Sequence, residues 1–342
     1  MNVTLVTPDI KYSCGIWRYT LSIEPELRKL GLNVQTKVIR KIEKEFMGKK
    51  FGGFISLMLL SMLTKPNTEI VHSTSVWTVT KSTNVVTIHD LIPIKYPDVY
   101  MAEFGIRFIY TFYFTLTKHV DTIIVPSKAV ARDVEEILDI DRDRIHVVYE
   151  GVDFSKFYPD PRPPKDMDKE KINLVMVGEM DPRKKYEIVF EAVSQLDDNV
   201  VAHHIGSVGA WKKRSKELLE WQRKYPDKIK IHGRLSDENL RRWLSNADFF
   251  VFPSIDEGFG LPLVESFACG TNVILTDIPV FREIAGDMAA AYFKPDPEDF
   301  IRALERAQKN RKRPEELIAY ARKFTWERTA KETVEVYRRV IE

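Results

Sequence analysis

The sequence predicts an α/β protein made of two doubly wound parallel sheets, and three observations carry that reading. Short apolar runs recur through both halves, as in Val3-Thr4-Leu5-Val6 and Phe249-Phe250-Val251-Phe252. Continuous rather than alternating apolar character marks strands buried on both faces. Many of these runs end in a glycine or a polar turn, and a stretch of helical length follows. Finally, the segment 157–170 carries Pro159, Pro161, Pro163 and Pro164 among charged residues, a composition that reads as a linker. It divides the 342 residues into halves that can each bury a full core.

In chain order, 3–7 reads as a buried strand, and Ser13-Cys14-Gly15 opens a helix over 16–30 that Gly31 closes. A strand begins at 33–38. Gly15 stands where backbone must come close to a ligand or another segment, although one glycine is equally a relief for a tight turn. Lys41, Lys44, Lys49 and Lys50 precede an apolar run over 51–63, which fits either a core helix or a peripheral membrane contact. Strands follow at 69–72 and 84–90. The second ends in His89-Asp90, a titratable pair on the side of an open sheet where ligands bind. An aromatic helix over 101–119, a strand at 121–127, a helix over 128–138 and a strand at 145–149 complete this half.

The second half opens on a strand at 172–178. Gly178 ends it, and Arg183, Lys184 and Lys185 follow as a local anion site. A helix over 186–195 and strands at 200–206 and 229–235 come next. His203 and His204 are adjacent in a strand and so face opposite ways, which argues against a shared metal. After the run 247–253 comes Asp256-Glu257-Gly258-Phe259-Gly260-Leu261-Pro262, then a helix over 262–269 closed by Gly270. Pro262 suits a first helical turn, and the helix N-terminus faces whatever lies above the strand end. A last helix covers 326–341.

Hydrophobic residues make up 44% and charged residues 30%, as in a soluble globular protein. The formal charge is only +2, which excludes a general polyanion-binding role and leaves nucleic acid out as a partner. Two cysteines in different halves point away from a disulfide framework and toward a reducing compartment. The N-terminus has no signal-peptide pattern, and the apolar run at 54–63 is too short to span a bilayer. The expected location is cytoplasmic, with the inner face of a membrane as the alternative.

Six motifs, in order, resemble a known family. They are Thr87-Ile88-His89-Asp90-Leu91-Ile92-Pro93, Val125-Pro126-Ser127, Val148-Tyr149-Glu150-Gly151-Val152-Asp153, Pro182-Arg183-Lys184, the stretch from Glu257 to Glu265, and Phe324-Thr325-Trp326-Glu327-Arg328-Thr329-Ala330. Glu257 and Glu265 form an E-x7-E pair, the most specific of the six. Along essentially its full length the chain resembles family 4 retaining glycosyltransferases of the GT-B architecture, two Rossmann-like domains facing across a cleft. The expected domains are an acceptor-side domain at 1–156, the linker at 157–170, a nucleotide-sugar domain at 171–325 and a terminal helix at 326–342 that crosses back to the first domain.

The resemblance implies transfer of a hexose from a nucleotide diphosphate sugar to a hydroxyl with retention and no metal or other cofactor. It assigns Arg183 and Lys184 to the diphosphate, Glu265 to the ribose and Glu257 to the donor sugar, with backbone groups of Gly258, Phe259, Gly260 and Leu261. His89 is expected near the reacting centre, Gly15 and Gly178 near the phosphates, and Arg234 and Leu235 at the base. The wording of the motifs is most like mannosyltransferase-type members, so GDP-mannose is the expected donor, with UDP-hexoses next. A lipid-linked glycan, a polysaccharide end and a small polyol are the candidate acceptors. Many members carry arginine directly after the glycine that ends the second domain's first strand, whereas Gly178 is followed by Glu179, which leaves open whether Lys185 substitutes. A nucleotide-sugar epimerase or another GT-B enzyme is the alternative, and a non-catalytic sugar-binding protein is the third reading.

Overall fold

The computed structural model describes the chain except at residues 10–14, 41–43, 47–48, 52–59, 62, 101–103 and 209–210. It divides into two compact units, one formed by Met1–Gly151 with Trp326–Glu342 and the other by Val152–Thr325.

In the first unit, β1 (Asn2–Pro8) and β2 (Asn33–Ile39) flank the helix Gly15–Lys29, while β3 (Lys44–Phe46) and β4 (Lys49–Phe51) form a separate antiparallel pair. The strands β5 (Ile70–Ser73), β6 (Val85–Thr87), β7 (Thr122–Val125) and β8 (Ile145–Val147) complete a parallel sheet in the order β2-β1-β5-β6-β7-β8. The order reverses between β1 and β5. The crevice outside their carboxyl ends is therefore the natural ligand side. The helix Trp326–Ile341 belongs to this unit: Thr329 donates to the Tyr149 carbonyl at 2.7 Å, and the Tyr337 hydroxyl meets His72 Nδ1 at 2.6 Å. The reading of 41–63 as a membrane contact falls largely outside the described residues. Among the described residues no helix is long and apolar enough to cross a membrane.

The second unit holds β9 (Ile172–Val177), β10 (Val200–Ile205), β11 (Ile229–Ile231), β12 (Phe249–Phe252), β13 (Val273–Thr276) and β14 (Ala291–Phe293). Their order, β11-β10-β9-β12-β13-β14, is the doubly wound one. All four residues of β12 are fully buried, as a central strand covered on both faces requires. Here the order reverses between β9 and β12, so the loops leaving those two strands flank the crevice. Where the chain enters and leaves this unit, Val152 and Thr325 form a parallel bridge, and the Val152 N–H donates to the Phe324 carbonyl at 3.1 Å.

The segment 157–170, read from composition as a linker, is built into the second unit instead. Phe157 is buried, and the buried Asp160 carboxylate takes Arg241 at 3.1 Å and Arg162 at 2.7 Å. Ser245 accepts from the Asp160 N–H, and Asn246 donates to the Asp160 carbonyl. Prolines exclude ladder hydrogen bonding but not packing of an irregular chain whose polar groups find side-chain partners.

One close approach fixes the ligand edge of the second sheet. A Cβ on Gly206 would stand 1.7 Å from the Gly178 carbonyl oxygen, so the exits of β9 and β10 touch through backbone alone. Gly206→Ala is expected to cost about 3 kcal/mol or more of stability, because the obstacle is backbone and cannot rotate away. Gly233→Ala is the control: φ is +68° but nothing lies within 4 Å, so only left-handed strain of about 1–2 kcal/mol applies. Calorimetry of both variants decides the point; equal, small shifts would mean that the two exits are not locked together.

Candidate active site

The turn after β9 is shaped by its own sequence. The Asp181 carboxylate accepts the Arg183 N–H at 3.0 Å and caps the single 3₁₀ turn Pro182–Lys184, and Lys185 follows in left-handed geometry at φ 47°. This turn sends Arg183 and Lys184 toward the loop after β12. The Arg183 carbonyl accepts from the Ile255 N–H at 2.9 Å, and its guanidinium donates to the Asp256 carbonyl at 2.8 Å. Lys184 is buried, with its ammonium 4.4 Å above the Phe252 ring centre.

Both cations converge on one carboxylate oxygen. Glu257 Oε1 lies 2.5 Å from Arg183 and 2.5 Å from Lys184, and the Ser254 hydroxyl donates to the same oxygen at 2.7 Å. Burial acts to raise the Glu257 carboxyl, but Arg183, Lys184 and Ser254 outweigh it and hold the group below the usual carboxylate range. Burial, with Arg183 beside it, pushes Lys184 down to about 8 against the pull of Glu257. Glu179 faces the same cations. Its own burial and the neighbouring Asp181 raise it, against Lys184, Arg234 and Arg183. Lys185 turns elsewhere, half-exposed and 3.9 Å from Glu187.

Beyond Glu257 the chain passes the buried Gly258 and Phe259 and reaches Gly260 at φ +96°. A side chain there would meet the Phe281 ring at 3.3 Å. The helix Leu261–Ala268 then starts with Pro262 in its first turn and carries Glu265, 2% exposed, one turn further on. At the end of β11, Gly233 accepts the Gly206 N–H at 2.9 Å, followed by the exposed Arg234 and the half-buried Leu235.

Two of the expected site residues belong to the first unit. Gly15 is the exposed first residue of the helix that follows β1. His89 follows β6 with both ring nitrogens engaged, Nδ1 with Glu150 Oε1 at 2.9 Å and Nε2 with the Thr74 carbonyl at 3.0 Å. A hydrogen bond from this ring to a sugar therefore requires one of those contacts to open.

The structure thus brings Arg183, Lys184 and Glu257 into direct contact, flanked by Gly178 and by the run from Gly258 to Leu261. Reasoning from sequence missed Ser254, Asp181 and Glu150. Asp181-Pro182 is a capping signature that was available, and Glu150 lies inside a quoted motif without an assigned role. Ser254 carried no signal of its own. His203 and His204 do turn to different partners: His203 meets His232 and Asn173 at 3.0 Å each, and His204 packs on Tyr186.

Residues 159–324 match the family described as Glycosyl transferases group 1, and residues 15–156 match Glycosyltransferase Family 4. The O-antigen chain mannosyltransferase RfbU of Salmonella typhimurium is 25% identical over 84% of this chain and 85% of its own length. The serotype-specific mannosyltransferase WbdA of Escherichia coli is 28% identical over 74% of this chain, which spans only 33% of that longer relative. Among solved structures, the sucrose-phosphate synthase of Thermosynechococcus elongatus superposes with a TM-score of 0.79 at 18% identity, covering 99% of both chains, a likeness of fold. With its two halves matched in tandem and its two doubly wound units in place, the chain belongs to the family 4 glycosyltransferases of the GT-B fold and is a hexosyltransferase.

Proposed function

We propose that the chain is a retaining, metal-independent mannosyltransferase that moves mannose from GDP-mannose to a hydroxyl of a glycan, with a lipid-linked glycan at the inner face of a membrane as the favoured acceptor. One observation carries the site assignment: Arg183 and Lys184 converge on Glu257 at the carboxyl ends of β9 and β12. Mannosyltransferases among the relatives support the choice of sugar.

In this reading the leaving group is a nucleoside diphosphate whose charge grows as the anomeric C–O bond breaks. Arg183 and Lys184 meet that charge, helped by the N-terminus of the helix Leu261–Ala268. Glu257 exchanges its hold on the cations for hydroxyls of the sugar, with backbone N–H groups from Gly258 to Leu261 beside it. Glu265 takes the ribose hydroxyls, Arg234 and Leu235 the base, and the backbone at Gly178 leaves room for phosphate. Attack comes from the face the diphosphate leaves: the acceptor oxygen bonds to the anomeric carbon, its proton passes to a phosphate oxygen, and the bonding pair of the broken C–O bond stays with the diphosphate.

A panel of GDP- and UDP-sugars, scored by release of nucleoside diphosphate and by the anomeric configuration of the product, tests this. Retained configuration with GDP-mannose preferred is expected; inversion, or a changed sugar without any acceptor, would end the reading. Glu265→Ala is expected to weaken GDP binding about 10²- to 10⁴-fold, two lost hydrogen bonds to a charged group, with turnover at saturation changed only a few fold. Titration calorimetry checks it, and a loss confined to turnover would remove Glu265 from the ribose.

A further inference from the structure

The first unit carries an arrangement that its proposed role does not account for. A neutral histidine has one N–H, yet both His89 nitrogens face acceptors, the Thr74 carbonyl at 3.0 Å and the Glu150 carboxylate at 2.9 Å. A carbonyl cannot donate. A carboxylate accepts as well, so both contacts are hydrogen bonds at once only when the ring carries a proton on each nitrogen. His89 therefore stands as an imidazolium paired with a buried carboxylate.

The contacts tie three chain exits together. Thr74 leaves β5, His89 leaves β6, and Glu150 lies after β8, one residue before Gly151, the last residue of the unit before the chain departs. Thr74 is itself fixed, its N–H donating to the Val6 carbonyl at 2.9 Å and its hydroxyl accepting from Thr20 at 2.9 Å. The positive charge thus sits at the carboxyl ends of β5 and β6, next to the reversal of strand order.

We propose that Glu150 is a positioning residue that holds His89 in its cationic form, so that the first unit presents a fixed positive charge at its ligand edge and turnover depends on that proton.

The other groups around His89 agree. The Tyr19 ring packs edge-on at 5.0 Å, and its hydroxyl is held protonated by burial and by Glu150. Asp90 adds to the negative field on His89. His72, on β5 and bonded to Tyr337 and Thr87, is pushed down to about 3 by burial and by the charge of His89, so it stays neutral. For His89 itself burial works against the charge, but Glu150, the Thr74 carbonyl and Asp90 together raise it above the ordinary histidine value. A raised histidine keeps its proton through neutral pH and loses it as pH climbs through the raised value, so activity that needs the cation is lost on the alkaline side.

The proposal rests on the glycosyltransferase reading only for its kinetic arm. Imidazole NMR of the full chain, wild type and Glu150→Gln, follows His89 from pH 5 to 10, and kcat and KM for the donor are measured over the same range. Wild-type His89 is expected to titrate above about 6.5 and the Glu150→Gln variant at or below it. The alkaline limb of kcat should move down with it, donor KM should stay within about twofold, and Glu150→Asp should restore most of the shift. Titration of wild-type His89 at or below 6.5 overturns the charge assignment even if no donor is turned over or the Gln variant does not fold. A moved titration with an unmoved kcat limb overturns the link to turnover. Failure of every donor in the panel, with the NMR shift intact, counts against the proposed activity and not against the ion pair.

Discussion

Lys184→Ala is expected to lower kcat/KM for the donor about 10³-fold, most of it in kcat. Removing a single preorganised donor from a buried site costs on the order of 10²–10³ in kcat, and the charge on this one adds to it. Lys184 is 9% exposed and reaches Glu257 at 2.5 Å, so its ammonium acts where the dielectric is low. Lys184→Arg should not rescue: the ammonium lies over the Phe252 ring at 4.4 Å, a seat for a compact point charge and not for a planar fork. The acidity of this lysine gives a second, independent readout. Burial and Arg183 bring it down to about 8, so in the free enzyme part of the population is neutral at pH 8. A diphosphate favours the charged form and raises the value, so binding at pH 8 takes up about half a proton, and affinity falls as pH climbs from 8 toward the ordinary lysine range. Titration calorimetry of GDP in buffers of different ionisation enthalpy measures the uptake. No uptake together with a less than tenfold loss in Lys184→Ala would take Lys184 out of the phosphate site.

The sequence carried the winding of both units because central parallel strands need continuous apolar runs, and β12 as Phe-Phe-Val-Phe leaves little else for that stretch to be. The E-x7-E spacing was legible for a local reason: Gly260 and Pro262 set the start of the helix, which then fixes Glu265 one turn in. What could not be read was contact across sequence. Glu257 and Lys184 are 73 residues apart, and only the register that sets β9 beside β12 tells that an expected sugar ligand also serves as counter-ion to the expected phosphate ligands. The same holds for His89 and Glu150, 61 residues apart. The segment at 157–170 misled for the opposite reason. Its composition was judged without Arg241, Ser245 and Asn246, the partners that give its polar groups a place to pack.

Glu257→Ala is expected to separate three quantities that usually fall together. Without the carboxylate, Arg183 and Lys184 face each other in a buried site with the more distant Asp181, 3.6 Å from Arg183, left as counter-charge, and breaking a buried ion pair from one side costs about 3–5 kcal/mol. The ligand-free variant should therefore melt well below the wild type. GDP should bind it at least as tightly, because an incoming diphosphate no longer has to displace Glu257 from the two cations, and saturating GDP should recover more of the melting temperature than it does in the wild type. Turnover should nevertheless fall about 10²–10³-fold, since the sugar loses the carboxylate that takes its hydroxyls as the bond breaks. Glu257→Gln, which keeps the shape, should share the loss of turnover with a smaller change in melting temperature. Differential scanning calorimetry with and without GDP, beside steady-state kinetics, reads all three. Weaker GDP binding in both variants would mean that Glu257 supports the nucleotide rather than standing in its place, and the exchange of partners that drives the proposed chemistry would have to be given up.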